Sequence, residues 1–254
     1  MAIRVGVFGA GGRMGATVCE AVAGDPALEL VAGIDPAHAG ETVEGITIVA
    51  DPSDIKGDVD VVIDFTQVEA ARGNLQWAAE QGVHAVVGTS GFDEADHERL
   101  RGAFNRSNCV IAPNFAIGAV LMIVFAERAA PFFETAEVVE MHHDAKRDAP
   151  SGTAMHTAER IAAASSDWAA DPTELVVADG ARGATAAGGI HVHALRVRGM
   201  VASQEVILGT QGQALTIRHD TYDRSSFMPG VLLAAKAVAD KPGVTIGLDK
   251  LLDL

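Results

Sequence analysis

The N-terminal half of the chain alternates short apolar runs with segments whose apolar residues recur every three to four positions. Ile3–Phe8 (IRVGVF) is a run of this kind ended by glycines, the pattern of a parallel strand buried on both faces. Residues 12–23 then read as a helix, and Leu28–Ile34 as a second strand that ends at Asp35. Residues 59–65 form a third strand with VVIDF at its core, followed by a helix over 69–81. A fourth strand over 84–88, a polar helix over 93–104 and a fifth strand over 109–112 complete the series. Strands alternating with helices in this way predict a doubly wound parallel sheet. Between Asp35 and Asp58 the pattern is weaker, with Ile46–Val49 as a short strand candidate.

After Pro113 the texture changes. Residues 117–130 read as an apolar helix, 136–141 as a strand and 153–164 as a helix. Residues 168–189 are a loop rich in Ala, Gly and Asp. Three strand-like runs follow at 191–197, 202–208 and 214–219 without intervening helices, which predicts a mainly antiparallel sheet and an α+β second domain. A helix over 229–239 and a short terminal segment close the chain. The expected class is α/β: a Rossmann-type doubly wound sheet plus an α+β substrate domain with a mainly antiparallel sheet. The expected boundaries are 1–113 with 223–254 for the dinucleotide-binding domain and 114–222 for the inserted domain.

Composition sharpens this picture. The 27 glycines and only 5% aromatics suit an α/β chain with many tight strand-to-helix turns. A formal charge of −15 repels nucleic acid and anionic membranes, so neither is expected as a partner. It also means that an anionic substrate needs a local basic pocket. Cys19 and Cys109 each lie in an apolar stretch, with no CxxC spacing, and are expected as buried thiols in a reducing compartment. No targeting signal precedes the first strand and no apolar run approaches the ~20 residues that span a bilayer. The expected location is the cytoplasm.

Residues 9–15 read GAGGRMG, with glycines at 9, 12 and 15 rather than in a strict G-x-G-x-x-G. The turn still permits close backbone approach to a pyrophosphate, whose oxygens the amides of the following helix would bind. Its place after a buried strand and before a second strand ending in an acid makes it a dinucleotide site. Asp35 is placed to accept hydrogen bonds from the adenine-side ribose and to disfavour a 2′-phosphate; capping of the turn before Pro36 is its structural alternative. Arg13 could contact phosphate, which leaves NADPH open alongside NADH. GTSG at 88–91 and APNF at 112–115 follow later strands at the edge where ligands bind in such sheets, or are ordinary turns.

The second chemical block is EMHHDAKRDAPSGTA, which starts at Glu140. It places His142, His143 and Lys146 within five residues, ahead of a turn in which Ser151 or Thr153 can cap a helix. Open amides at that helix start, two hydroxyls and the Lys146 charge form an anion site suited to two carboxylates. A histidine titrating near neutrality supplies the proton. No metal is expected, because no third ligand stands at a telling spacing and Lys146 would repel a cation. His84, His97, His156, His191, His193 and His219 are expected to be structural or solvated. Two other readings stay open on these residues alone: another two-domain amino-acid or semialdehyde dehydrogenase, and a nucleotide-sensing regulator without chemistry.

In this order and spacing, GAGGRMG, DFT at 64–66, GTSG, APNFAIG and EMHHDAKRDAPSGTA resemble the 4-hydroxy-tetrahydrodipicolinate (dihydrodipicolinate) reductases over essentially the whole chain. The resemblance implies reduction of 4-hydroxy-tetrahydrodipicolinate to tetrahydrodipicolinate with loss of water, in diaminopimelate and lysine biosynthesis. It implies nucleotide contacts from Gly9, Ala10, Gly11, Gly12, Arg13, Met14, Asp35, Gly88, Thr89, Ser90, Ala112, Pro113, Asn114 and Phe115. By the same resemblance His142 donates or accepts the proton, Lys146 donates a proton, and His143, Gly152 and Thr153 bind the cyclic dicarboxylate. A homotetramer joined through the sheets of the second domain is implied as well. Two positions depart from the family pattern: Ser90 replaces a Thr, and Pro36 stands where NADPH-tolerant members often carry Arg. The Asp35–Pro36 pair therefore predicts NADH as the equal or preferred cofactor.

Overall fold

Strand β1, Ile3–Phe8, is buried from Val5 to Phe8, and its neighbours in the sheet run parallel to it on both sides. The computed structural model describes residues 1–252. After β1 come helix α1 (Arg13–Ala23), β2 (Leu28–Ile34), the two-residue β3 (Thr42–Val43) and β4 (Ile46–Val49). They are followed by β5 (Val61–Asp64), α2 (Val68–Gln81), β6 (His84–Val87), α3 (Glu94–Ala103) and β7 (Cys109–Ile111). The helices terminate for local reasons. Gly82 adopts φ +70° after α2, and its amide caps the carbonyls of Ala78 and Ala79. The polar helix α3 begins with a capping box between Asp93 and Asp96. It is tied to α2 by a two-pronged bond from Arg72 to the buried Asp96, at 2.9 and 2.7 Å.

Next come α4 (Ile117–Ala129), β8 (Thr135–His142), α5 (Gly152–Ala164), the two-residue β9 (Ala184–Thr185) and β10 (His191–Arg196). Strands β11 (Ala202–Thr210) and β12 (Gln213–Thr221) form a hairpin. Its turn is a tight Gln211–Gly212 pair, with φ +83° at the glycine. The sheet order is β12-β11-β8-β10-β9. Every pair is antiparallel except β8 and β10, which run parallel. The physical reason is the helix between them: a strand that returns through a crossover helix lands beside its starting strand in the same direction. Helices α4 and α5 pack against this sheet, burying Met122, Ile123, Val138, Ala158, Ile161, Val206 and Leu208 in one core.

The chain then forms α6 (Met228–Ala237) and β13 (Val244–Ile246), which pairs parallel with β7. The first sheet therefore has the order β13-β7-β6-β5-β1-β2-β4-β3, all parallel except the β3–β4 hairpin. Its core includes Phe8, Ile34, Val62, Leu75, Val87, Leu100 and Phe104. Two compact units result: Met1–Ala116 with the residues from Arg224 onward, and Ile117–Asp223.

The expected fold class holds: a parallel doubly wound sheet and a second, mainly antiparallel one. The differences are local. Strand β13 is only three residues long, too short for a periodic signal, and β8 extends far enough to carry His142 as its last residue. Cys19 and Cys109 are buried and unpaired, and burial pushes the Cys19 thiol up to about 12.

Two glycines in helices separate the roles of this residue. A Cβ on Gly15 would lie 1.9 Å from the Gly9 carbonyl oxygen, whereas one on the exposed Gly73 in α2 meets nothing within 4 Å. Gly15→Ala should therefore destabilise the protein by about 1–3 kcal/mol of overpacking strain. Gly73→Ala should stabilise it by about 0.5–1 kcal/mol through helix propensity. Urea unfolding of the two variants checks the opposite signs.

Candidate active site: a nucleotide groove and a proton-donor cluster

Parallel strands that lie side by side deliver their following loops to one edge of the sheet. The order β7-β6-β5-β1-β2 thus lines up the loops after all five strands along the C-terminal edge. Gly9 opens the first loop at φ +73°, its amide bonding the Ile34 carbonyl at 2.7 Å, while the Gly12 amide bonds Gly9 at 2.9 Å. Ala10 is fully buried, Met14 half-buried and Arg13 exposed. Gly12 is the N-cap of α1, with no side chain capping the helix and no acid in its first turn. A helix start left open in this way presents its amides to an anion. The tight glycines and the uncapped α1 fit the pyrophosphate of a dinucleotide.

Asp35 is buried beside that loop and carries three hydrogen bonds. Its Oδ2 accepts from the Gly11 amide at 3.1 Å and pairs with His38 Nδ1 at 3.0 Å; its Oδ1 accepts from the Ala37 amide at 3.0 Å. The capping alternative for Asp35 is thus realised, with Ala37 as the capped residue. His38, which belongs to none of the sequence motifs, packs so closely on the loop that a Cβ on Gly11 would sit 2.2 Å from its ring. Its only signal in the sequence is a position three residues after the strand-end acid.

The loops after β5 and β6 are held by a second buried carboxylate. Asp64 accepts from the Thr66 amide (2.8 Å), Thr66 Oγ1 (2.7 Å) and Thr89 Oγ1 (3.1 Å) on one oxygen, and from Asn74 Nδ2 (2.7 Å) on the other. The Thr89 hydroxyl also lies 2.9 Å from the Thr66 carbonyl, a second link between the two loops. A Cβ on Gly88 would strike the Phe65 ring, and Phe65 in turn lies 5.8 Å from Phe115. Ser90 and Pro113 are exposed, Ala112 is buried, and the Asn114 side chain accepts from the Ala116 amide at 2.9 Å. A groove along this edge is lined by Gly9, Gly12, Asp35, Asp51, Thr66, Glu69 and Asn74 among others.

The second unit carries the other cluster. Successive strand residues point to opposite faces, so Glu140 and His142, two apart on β8, share one face with the buried Ala136 and Val138. Glu140 is fully buried. Its Oε2 pairs with His142 Nδ1 at 2.6 Å and accepts from Arg196 Nη1 at 2.8 Å. Its Oε1 accepts from Arg196 Nη2 at 2.9 Å and from the Ser151 amide at 3.0 Å. Arg196 arrives there because β10 runs parallel to β8 with Arg196 in register with His142.

The turn after β8 leads from exposed His143 through Lys146 to α5. Lys146 Nζ bonds both carboxylate oxygens of Asp148 at 2.8 Å. Ser151 is the N-cap of α5, its hydroxyl accepting from the Ala154 amide at 3.2 Å. Of the two candidate caps it is therefore Ser151 that caps the helix, with its side chain buried, while Thr153 stands half-buried in the first helical turn. The amides of Gly152 and Thr153 occupy the first helical positions, which have no acceptor inside a helix, and a Cβ on Gly152 would meet nothing within 4 Å. The first turn is braced from behind: Thr157 donates to the Thr153 carbonyl at 2.7 Å and accepts from buried Gln204 at 2.7 Å.

Electrostatics divide the cluster into an anion and a titrating base. Burial alone would raise the Glu140 carboxyl, but hydrogen bonds from Arg196, His142 and the Ser151 amide hold it below the usual range. Burial lowers the His142 imidazolium; Glu140 opposes that shift, while Lys146 and Arg196 add to it. A carboxylate kept ionised has only acceptor capacity, so the shared proton belongs on His142 Nδ1. His142 Nε2 is then the ring nitrogen left open for proton exchange. Together, an open helix start, Thr153, Lys146 and this histidine can bind carboxylate oxygens and move one proton.

A nucleotide groove on one unit and an anion-binding proton donor on the other are the two working parts of a two-domain nicotinamide-dependent oxidoreductase. The comparisons with known proteins place it within that class. Residues 3–115 match the family model described as "Dihydrodipicolinate reductase, N-terminus", and residues 118–252 match "Dihydrodipicolinate reductase, C-terminus". The chain belongs to the dihydrodipicolinate reductase family. Proteins named 4-hydroxy-tetrahydrodipicolinate reductase from Nocardia farcinica and Corynebacterium aurimucosum are each 50% identical to it, with 100% of both chains covered. A solved structure, "Dipicolinate bound Dihydrodipicolinate reductase from Paenisporosarcina sp. TG-14", is similar at a TM-score of 0.88 and 34% identity, covering 98% of this chain and 99% of that one.

The Asp64 bonds make a test of the nucleotide edge. Asp64→Asn keeps the shape but turns one acceptor oxygen into a donor facing either the Asn74 amide or the two threonines. The mismatch should cost about 1–3 kcal/mol in urea unfolding, and NADH fluorescence titration should show weaker nucleotide binding.

Proposed function

We propose that this chain reduces 4-hydroxy-tetrahydrodipicolinate to tetrahydrodipicolinate, with loss of water, in diaminopimelate and lysine biosynthesis. The observation that carries the reading is the cluster on β8 and α5: a carboxylate-held His142 beside Lys146 and an open helix start at Gly152 and Thr153. Thr153, the helix amides and Lys146 bind the two carboxylates of the cyclic substrate, with Lys146 exchanging its bond to Asp148 for one to the ligand. His143, exposed on the same turn, adds a further donor. The nucleotide, when bound, supplies a hydride to the ring. His142 delivers the proton that the reduced ring needs at the adjacent carbon, and Lys146 supports the charge that develops there. Orientation and fixed charge provide most of the rate under these conditions.

The groove favours NADH as the equal or better cofactor. Asp35, Asp51 and Glu69 line it, and no lysine or arginine is among its lining residues, so a 2′-phosphate would face carboxylates without a compensating cation. Gly9, Ala10, Gly11, Gly12, Arg13 and Met14 would hold the pyrophosphate side, and the loops from Gly88 to Ser90 and from Ala112 to Phe115 the nicotinamide side.

The reading extends to assembly and location. Leu195, Val197, Val201 and Leu215 are exposed on or beside the second sheet, which is apolar surface suited to contact between copies in a homotetramer. The high negative charge speaks against nucleic acid and anionic membrane as partners, and no described helix is long and apolar enough to cross a membrane. We assign the protein to the cytoplasm, where its substrate would be formed.

The test is nucleotide oxidation with freshly formed product of pyruvate and aspartate-semialdehyde condensation. NADH should be consumed with kcat/KM equal to or above that for NADPH, and aspartate semialdehyde alone should give no turnover. His142→Gln should lower kcat by about 10²–10⁴-fold while nucleotide affinity stays unchanged. Absence of turnover with the condensation product overturns the assigned reaction; a large NADPH preference overturns the cofactor assignment.

A further inference from the structure

The loop from His143 to Ser151 is tied to the rest of its unit by an exposed pair between Asp144 and Arg198, at 2.7 Å, and by the buried pair of Glu140 with Arg196. Arg196 Nη2 donates to the Asp148 carbonyl at 2.5 Å as well as to Glu140, and Glu140 accepts from the Ser151 amide. His142 hangs on the same carboxylate at the loop's other end. Lys146 lies between these anchor points. A single fully buried carboxylate and its two-pronged guanidinium partner therefore fix the histidine, the segment bearing the lysine and the start of the anion-binding helix.

We propose that Glu140 and Arg196 are the positioning pair of this active site. They set which His142 nitrogen carries the fixed proton, and they hold that histidine in register with the Gly152–Thr153 anion cradle. The proposal rests on the assignment of His142 as proton donor. Neither residue needs to touch substrate: both act through His142 and through the turn. Arg196 also keeps Glu140 ionised, because a neutral acid at that place could donate its own proton and release the Nδ1 assignment.

The charged groups facing His142 are Glu140 on its own strand, Lys146 on the following turn and Arg196 on β10; Ala202, its partner on β11, carries no charge. Of the three only Glu140 favours the imidazolium. Removing its charge lowers the His142 pKa further, so the protonated donor persists only to a lower pH. The alkaline limb of kcat must then move down in pH, not up.

The experiment combines variants with a readout that needs no substrate. Glu140→Gln should shift the His142 titration midpoint, followed by NMR of its ring proton, to lower pH than in the unaltered protein. It should lower kcat by about 10²-fold and move the alkaline limb the same way, with NADH affinity unchanged. In a His142→Asn background the same substitution should change kcat by less than about twofold, because its action on the proton is already gone; its action through the turn then shows in KM. Arg196→Lys keeps the charge but loses the fork, and it serves where Glu140→Gln fails to fold. It should lower kcat about tenfold with His142 present and not with His142 replaced. An unmoved His142 titration in Glu140→Gln overturns the proposal. So do equal losses of kcat with and without His142, which would mark a merely structural pair. Failure of the unaltered enzyme to turn over the condensation product would instead overturn the assigned reaction, while the NMR arm still decides the pairing.

Discussion

The second unit is organised around a carboxylate that no strand would bury without cause. Glu140 occupies an inward position on β8, next in the alternation after Ala136 and Val138, where an apolar residue would pack without penalty. An unpaired charge there costs several kcal/mol, and removing one partner of such a pair typically costs about 3–5 kcal/mol. Arg196, His142 and the Ser151 amide together meet that demand. Each of them is thereby placed: the histidine at the strand end, the guanidinium from the parallel neighbour and the amide at the helix start. A buried ion pair contributes little net stability compared with apolar packing, so its value here lies in fixing one geometry.

The nucleotide unit solves its own placement problem mainly with backbone. Gly9 and Gly15 let helix and strand approach within van der Waals contact, and the bare N-cap at Gly12 leaves the amides of α1 turned outward. Side chains then tie the loops together. Asp35 joins the glycine-rich loop to the turn after β2 through Gly11 and His38, and Asp64 joins the turns after β5 and β6 through Thr66 and Thr89. In both units, buried carboxylates are the points at which neighbouring loops are made rigid with respect to one another.

Much of this was legible in the sequence because the signals are local. Apolar runs of four to seven residues ended by Gly or Asp mark the parallel strands, and the motifs GAGGRMG and HHDAKRDAPSGT each lie within one turn. What escaped reading depends on distant partners. Glu140 looks like an ordinary polar break in a strand until Arg196, 56 residues further on, is seen beside it. The parallel pairing of β8 with β10 follows from α5 lying between them, and a sequence reading of a mainly antiparallel sheet does not say which pair is the parallel one. His38 carries no motif and is revealed by its packing on Gly11. Of the two cap candidates in the motif, only the structure shows that Ser151 is the one within reach of the Ala154 amide.

The central claim is that the cluster on β8 and α5 binds a dicarboxylate and couples that binding to a proton on His142. Calorimetry of pyridine-2,6-dicarboxylate binding, at saturating nucleotide and pH 7 in buffers of different ionisation enthalpy, measures both at once. Burial holds His142 below the ordinary histidine value of 6.5 in the free protein, and an arriving dianion must raise it. The account predicts binding with uptake of a fraction of a proton, abolished in His142→Asn. Binding without proton uptake, or the same uptake with His142 replaced, would contradict it.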